Sequence, residues 1–369
     1  MSDGLFAESP SPLQPPAPDP TPNPLAEVRQ TEVVQRLKQV MEPTLGTNIV
    51  SLGMVRNLRI VGDYVYLRLY VGSHQLALQV EVEQALAPLS WCKKIYIQLC
   101  TIPGVRITLA VSSGKGGVGK STSAVNLAVA LTQAGARVGI LDADIYGPNV
   151  PQMLGIPRSE VQVLQTEAGQ RFQPLMGHGI QVMSVGLLAE PDHPLAWRGP
   201  VLHKILTQFL HEVAWQDLDF LLIDLPPGTG DAQITIVQES PICGALVVTT
   251  PQQVALSDVR RSIQMFRKVG VPTLGLIENM SYLRCGHCGE PSPIFGQGGG
   301  RHLEQELQIP LLGQVPLDPR ICAGGDGGQP LTLVDPQSET AQVFGQVAAG
   351  LIQTFALDGA VEQLRSVVS

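Results

Sequence analysis

The sequence predicts an α/β fold in which a mostly parallel sheet is covered by helices on both faces, preceded by a small α+β domain. Two textures carry that prediction. From Arg106 onward, short continuous apolar runs end in loops marked by Gly, Asp or Pro and usually pass into a helical pattern, as strands buried on both faces do. Before Arg106 the apolar positions instead alternate with period two across Gly62-Asp63, as in a half-buried hairpin. A chain of 369 residues suffices for two such units at roughly 100–200 residues per domain.

Each element follows in chain order. From Ser9 to Pro24 nearly every second or third residue is proline, which neither continues a helix nor donates to a sheet ladder, so residues 1–27 read as a disordered, polyproline-like tail. Val28, Val33, Val34, Leu37, Val40 and Met41 fall near helical spacing over Glu27–Met41, and Pro43 stops the pattern. A hairpin sets Leu58 and Ile60 against Val65, Leu67 and Leu69, a second helical pattern covers Gln75 to Ala87, and Lys93 to Leu99 alternates as a strand. These elements form the small domain, residues 28–105. In residues 106–369 the strand candidates are Ile107–Val111, Val138–Leu141, Phe220–Ile223, Ala245–Thr249, Leu274–Ile277 and Leu311–Val315. The informative motifs all lie at the C-terminal ends of these strands, the edge where open α/β sheets bind ligands.

Composition narrows the function classes. The 24 Lys+Arg against 32 Asp+Glu give a net charge of −8, which argues against nucleic acid or an anionic membrane as the main partner. No apolar run approaches the ~18 residues of a membrane span. The N-terminus carries Asp3 and Glu8 where a targeting peptide would be basic, and the expectation is a cytoplasmic protein. Six cysteines are too few for a disulfide scaffold and suggest thiol or metal chemistry, with Cys285 and Cys288 the close pair. Cys92, Cys100, Cys243 and Cys322 read as small buried hydrophobes.

After the strand Ile107–Val111 comes Gly114-Lys115-Gly116-Gly117-Val118-Gly119-Lys120-Ser121-Thr122, the G-x-x-x-x-G-K-[ST] pattern, opening a helix through about Ala134. This is a P-loop, expected to bind ATP with Mg²⁺. Its glycines let backbone N–H groups close around phosphate oxygens, Lys120 reaches the β- and γ-phosphates, Ser121 ligates Mg²⁺, and the helix N-terminus adds its dipole. Two acidic loops complete the site: Leu141 runs into Asp142-Ala143-Asp144, and Ile223 into Asp224-Leu225-Pro226-Pro227-Gly228. Asp142 is counted with the nucleotide-binding residues, Asp224 is expected to hold Mg²⁺ through water, and Gly228 to offer its N–H to the γ-phosphate.

Cys285-Gly286-His287-Cys288-Gly289 supplies two thiolates, whereas a [4Fe-4S] cluster or a Cys₄ zinc site needs four ligands. A symmetric dimer would supply the other two. A zinc knuckle competes, since the spacing and glycines suit one and His287 could ligate, and a structural or redox pair is the third reading.

The loop Gly114–Thr122 resembles the deviant P-loop of the MinD/nitrogenase-reductase ATPases. The chain from about residue 28 resembles an Mrp/ApbC-type iron-sulfur cluster carrier ATPase, on that loop, Leu141–Pro148, Asp224–Asp231, Glu278-Asn279-Met280-Ser281 with the cysteine pair, and Phe295–Gly300. The small domain, with Glu42–Gly46 and Ile49–Val55, is similar to the iron-sulfur-assembly domain often fused to these carriers. The resemblance implies a homodimer in which Lys115 reaches the partner's nucleotide as an arginine finger would, and Asp144 orients the attacking water. It further implies that Asn279 and Pro251-Gln252 contact the adenine. A labile [4Fe-4S] cluster, received from scaffold proteins, would pass to apo iron-sulfur proteins.

Two departures stand out. Gly286 replaces a frequent proline, and Val71-Gly72-Ser73-His74-Gln75 stands where the small domain often carries a cysteine, which puts a thiol role for it in doubt. A positioning ATPase is one rival; it would need an amphipathic anchor or a basic face, and Gln346–Ser369 has one basic residue, Arg365. The other rival, an electron-donating reductase, would need a tightly held cluster.

Overall fold

A computed structural model describes residues 24–355 apart from 44–45, 73–74, 146, 158–160, 167–168 and 189–198. The proline-rich segment before Pro24, Thr44-Leu45, Ser73-His74, Tyr146 and the terminus with Arg365 therefore lie outside the described residues.

The small domain is built from α1 (Pro24–Leu37), β1 (Val55–Val61), β2 (Tyr64–Tyr70), α2 (Leu78–Leu86) and β3 (Lys94–Cys100). β1 and β2 form the expected antiparallel hairpin, and β3 adds to β2 in parallel. Val33, Leu37, Val65, Leu67, Leu69, Leu78, Val82 and Leu86 bury their side chains between the two helices and the sheet. The first helix departs from expectation at both ends. It begins at Pro24, inside the segment read as tail, because a proline at the first helical position gives up an N–H that has no partner there anyway. It ends at Leu37, and Met41 instead bridges to Asn48.

The larger domain opens with β4 (Val105–Ser113), α3 (Lys120–Gln133), β5 (Val138–Asp142) and α4 (Val150–Met153). A side hairpin, β6 (Val163–Thr166) and β7 (Gly169–Phe172), precedes β8 (Leu175–Gly177), β9 (Ile180–Ser184) and α5 (Gly199–His211). Then come β10 (Leu218–Asp224), α6 (Asp231–Glu239), β11 (Gly244–Thr249), α7 (Gln253–Lys268) and β12 (Thr273–Glu278). The chain closes with β13 (Leu283–Arg284), β14 (Pro291–Ser292), α8 (Gly299–Leu307), β15 (Leu311–Gln314), α9 (Pro319–Asp326), α10 (Leu331–Val334) and α11 (Glu339–Thr354).

The central sheet has the order β15-β12-β11-β4-β10-β5-β9-β8 and is parallel except at the β8 edge. All six strand candidates are present. β8 and β9 went unread because β8 has only three residues, with Met176 exposed, and Gln181 interrupts the apolar run of β9. Alternate residues of the central strands enter two cores. Leu109, Val111, Ile140 and Leu222 join Phe344 and Leu351 on the α3/α11 side, while Ala110, Leu141, Leu221 and Ile223 join Phe209 and Phe266 on the other. Both faces are thus dry, which is why these strands read as unbroken apolar runs. Among the described residues no helix is long and apolar enough to cross a membrane.

One buried polar residue fixes α3 within this packing. Asn126 donates from Nδ2 to Thr122 O (2.9 Å), and its Oδ1 accepts from both Thr332 N (3.1 Å) and Thr332 Oγ1 (2.8 Å). Asn126→Ala orphans two buried donors. Chemical denaturation should show a loss of roughly 2 kcal/mol, on the scale of buried groups left unpaired, with Asn126→Asp recovering part of it.

Candidate functional site

The register of β10 builds the site. Asp224 lies opposite Val111 of β4 and Asp142 of β5, so two carboxylates and the start of the P-loop meet at one strand edge. The loop then turns into α3, whose first residue is Lys120. Lys120 is buried, with Nζ 2.7 Å from Asp224 Oδ1, 3.3 Å from Asp144 Oδ2 and 3.2 Å from Ser121 Oγ. Ser121 Oγ donates to the other Asp224 oxygen at 2.5 Å. Gly119 is required twice over: its φ is +84°, and a Cβ there would lie 2.1 Å from Asn279 Nδ2, which donates to Val118 O (2.9 Å). Gly114 lies against the backbone of Asp258 on α7.

Three carboxyl groups around one ammonium give the base of this loop a surplus of acid over base. Burial pushes Asp224 up, with Lys120 opposing, and burial together with the Asp224 charge pushes Asp142 up to about 8. A divalent cation relieves such a surplus, and Ser121 with Asp224 offers the oxygen donors that Mg²⁺ prefers, leaving room for its water shell. The residues therefore fit the ion.

Two of the assigned residues are engaged within the fold. Asp142 lines neither cavity of the site. Its carboxylate is taken inside the fold, accepting from Asp144 N (3.2 Å), Val150 N (3.3 Å) and Ser184 Oγ (2.9 Å), so it shapes the Asp144 loop. Gly228 gives its N–H to Ser113 O (3.1 Å), tying the Asp224 loop to the end of β4.

Two adjoining cavities open above the loop. One of about 180 Å³ is lined by Lys115, Gly116, Lys120, Ser121, Asp144 and Pro227 among others, and is polar at its floor. The second, of about 350 Å³, shares Gly117, Gly119 and Thr122 with it and continues between Asn279, Met153, Leu317 and Ile321, with Asp318 and Cys322 at its wall. A phosphate-sized space joined to a larger, mostly apolar one matches a nucleotide in shape and polarity. Pro251 and Gln252 do not line it; Gln252 precedes α7 as its N-cap, and Pro251 O backs Gly299. Cys322, read from sequence as buried, is exposed there. The α9 wall escaped sequence reading because nothing but the Pro316-x-Asp318-Pro319 turn marks it.

Asn279 and the cysteines belong to one segment, and a buried glutamate anchors it. Glu278, fully buried, accepts from Ser281 Oγ (2.6 Å), Gln314 Nε2 (2.8 Å) and Gly300 N (2.5 Å). This explains why Glu278–Ser281 and the glycine run at Gly298–Gly300 go together. Past Ser281 the chain forms β13, turns through Cys285–Gly289 and returns as β14. Cys285 N donates to Glu290 O (3.0 Å), and Gly289 N to Cys285 O (2.9 Å). Arg284 clamps the turn, forking onto Glu339 (2.5 and 2.6 Å) and donating to Gly289 O (2.9 Å). Tyr282 also donates to Glu339 (2.7 Å); burial and that carboxylate push its phenol up to about 12, so it stays a donor. Cys288 is exposed and Cys285 partly so. Among the described residues no group of three or more His, Cys, Asp or Glu side chains could hold a metal.

Similarity to known proteins agrees with this geometry. Residues 104–352 match the family model described as NUBPL iron-transfer P-loop NTPase, and residues 30–98 match that of an iron-sulfur cluster assembly protein. The chain belongs to the iron-transfer P-loop NTPase family. It is 42% identical over 346 residues to an iron-sulfur cluster carrier protein of Synechocystis, covering 88% of this chain and 98% of that one. Over 62% of this chain and 88% of the other it is also similar, at 36% identity and a TM-score of 0.55, to a nucleotide-binding protein from Archaeoglobus fulgidus in complex with ADP. The septum site-determining protein MinD from Pyrococcus horikoshii shares the fold at 23% identity and a TM-score of 0.50, over 66% of this chain and 95% of that one.

Within this iron-transfer NTPase the backbone N–H groups of Cys288 and His287, and then the Cys288 side chain, hold the Cys285 thiol below its ordinary pKa. A lowered pKa means thiolate at lower pH, so in metal-free protein Cys285 should be alkylated at lower pH than a cysteine in an unfolded peptide. Mass spectrometry of iodoacetamide adducts across a pH series checks this; a profile equal to that of the peptide would refute it.

Proposed function

We propose that this chain is an ATP-hydrolysing carrier of iron-sulfur clusters that works as a homodimer. Its cargo is one labile [4Fe-4S] cluster held by Cys285 and Cys288 of both protomers and passed to apo-proteins. The observation that carries the reading is the exposed two-cysteine turn on the same segment as Asn279, at the edge of the nucleotide-shaped cavity. Two thiolates per chain are half of what a cluster needs, and a two-fold axis doubles them. Exposure suits a cargo that must leave.

In this reading Lys120 exchanges its carboxylate partners for the β- and γ-phosphates, while Ser121 and Asp224 hold Mg²⁺. The ion's contribution when bound is to neutralise phosphate charge. Asp144, released from Lys120, aligns the attacking water. Lys115, at the wall of the phosphate cavity, acts on the partner's nucleotide. Lys120→Ala should therefore abolish ATP binding, whereas Lys115→Ala should keep binding and suppress hydrolysis by about 10³-fold or more, the scale of a charge supplied in trans. Calorimetry with steady-state turnover separates them, and equal loss of binding in both would refute the trans role.

Anaerobic reconstitution with iron and sulfide should load about four iron per dimer. Cys285→Ser and Cys288→Ser should each abolish loading and leave ATP binding intact. Sedimentation should show the loaded species as a dimer that shifts toward monomer when a chelator strips it, because a ligand bound only by the dimer stabilises the dimer. One zinc per dimer from iron-replete cells, or a cluster retained by a monomer, would overturn the bridging cluster. Transfer to an apo-enzyme with recovery of its activity tests the carrier role.

A further inference from the structure

One buried charge takes no part in the site described above. Arg56, on β1 of the small domain, is 8% exposed, and among the described residues no carboxylate pairs with it. Its guanidinium reaches across to the larger domain, donating to Val237 O (2.9 Å), Ser240 O (3.4 Å) and Ile242 O (2.8 Å), with Nε on Gly53 O (3.1 Å). It stacks over the Tyr70 ring at 4.2 Å, and the Tyr70 hydroxyl donates to Gln238 O (2.7 Å).

These interdomain acceptors cluster at the C-terminal end of α6. The last carbonyls of a helix lack partners within it and carry the negative end of its dipole, so a buried guanidinium is both paired and charge-compensated there. The backbones also meet beside this contact: a Cβ on Gly53, whose φ is +64°, would lie 1.8 Å from Gly270 O just past α7. The opposite end of α6 follows Gly230 directly, continuing the loop that begins at Asp224, and Gln233 near that end donates to Ser112 Oγ on β4 (2.5 Å). A helix of nine residues therefore has the nucleotide loop at one end and the small domain at the other.

We infer that Arg56 is a positioning residue for the Asp224–Gly230 loop: through it the small domain grips α6, so that the state of the nucleotide site and the placement of the small domain are linked. The link is reciprocal, since a nucleotide that shifts α6 shifts the small domain, and a partner that moves the small domain alters the loop. The inference rests on the nucleotide part of the proposed function and not on the cluster.

Amide hydrogen exchange on the full chain, with and without Mg²⁺ and a non-hydrolysable ATP analogue, tests it. In the wild type the analogue should slow exchange at residues 114–122, in α6, and in β1 and β2 of the small domain. Arg56→Met should keep the effect at 114–122 and lose it in β1 and β2. It should also change kcat for ATP by about threefold or more, with KM within about twofold, as expected for a network residue that touches no substrate. Tyr70→Phe removes one of the contacts and should give the same pattern, smaller, should Arg56→Met not fold. A wild type protected at 114–122 but unchanged in β1 and β2 overturns this inference alone, as does a variant that keeps the wild-type response. A wild type unprotected at 114–122 overturns the nucleotide reading and this inference with it.

Discussion

The ammonium of Lys120 lies where the ends of β4, β5 and β10 meet the start of α3, 2.7 Å from Asp224 and 3.3 Å from Asp144. Much of the larger domain is organised to hold it there. Lys120 begins a helix whose apolar length is enclosed by α11 and the sheet, so its backbone cannot move without opening a core. Asp224 ends a strand buried along its whole length, and Asp142 beside it holds the neighbouring acidic loop through Val150 and Ser184. An excess of buried carboxyl groups over ammonium is costly in a dry environment; a proton held on Asp142, whose pKa burial pushes up to about 8, offsets part of that cost, and a divalent cation between Ser121 and Asp224 would offset more.

What could be read from the sequence follows from the same physics. Strands buried on both faces must be apolar throughout, so β4, β5, β10, β11, β12 and β15 were visible as runs, and the P-loop between β4 and α3 was visible because close backbone approach demands glycine. The edge strand β8 has only three residues, and in β9 Gln181 breaks the apolar run, so they left no comparable mark. The site was legible as residue types more than as contacts. Asp142 and Asp144 look alike in Asp-Ala-Asp, and only the fold reveals that the first faces Ser184 while the second faces Lys120. Gly228 looks like a free donor until the loop closes on Ser113. Asn126, Glu278 and Arg56 each also bond to partners 22 to 206 positions away in sequence, and no local pattern encodes such pairing.

The cysteine turn illustrates how a small exposed element gains a defined position. It has no core of its own, being two short strands and a five-residue turn between Cys285 and Gly289. Its root is Glu278, one residue before the Asn279 that touches the P-loop, and its flank is the Arg284–Glu339–Tyr282 cluster at the first turn of α11. An exposed ion pair alone contributes little, but a fork onto one carboxylate that also accepts from a half-buried phenol fixes orientation as well as energy. Because Glu339 is the first residue of α11, its charge also suits the positive end of that helix.

The nucleotide cavity thus has two mechanical exits. From β12 the chain passes through Glu278 and Asn279 to the cysteine turn. From β10 it passes through the Asp224 loop and α6 to Arg56 and the small domain. Both leave strand ends that border the P-loop, and both are held by buried hydrogen bonds whose partners have few alternative positions. Packed interiors respond to a local change by moving elements as units, because they are nearly incompressible. A change of charge at Lys120 would therefore reach either exit as a displacement of a segment, and the lengths of those segments are short enough that neither needs a long chain of intermediaries. That is a physical reason for a cluster-assembly-like domain and a two-cysteine turn to be attached where they are, one at the far end of α6 and the other just beyond Asn279.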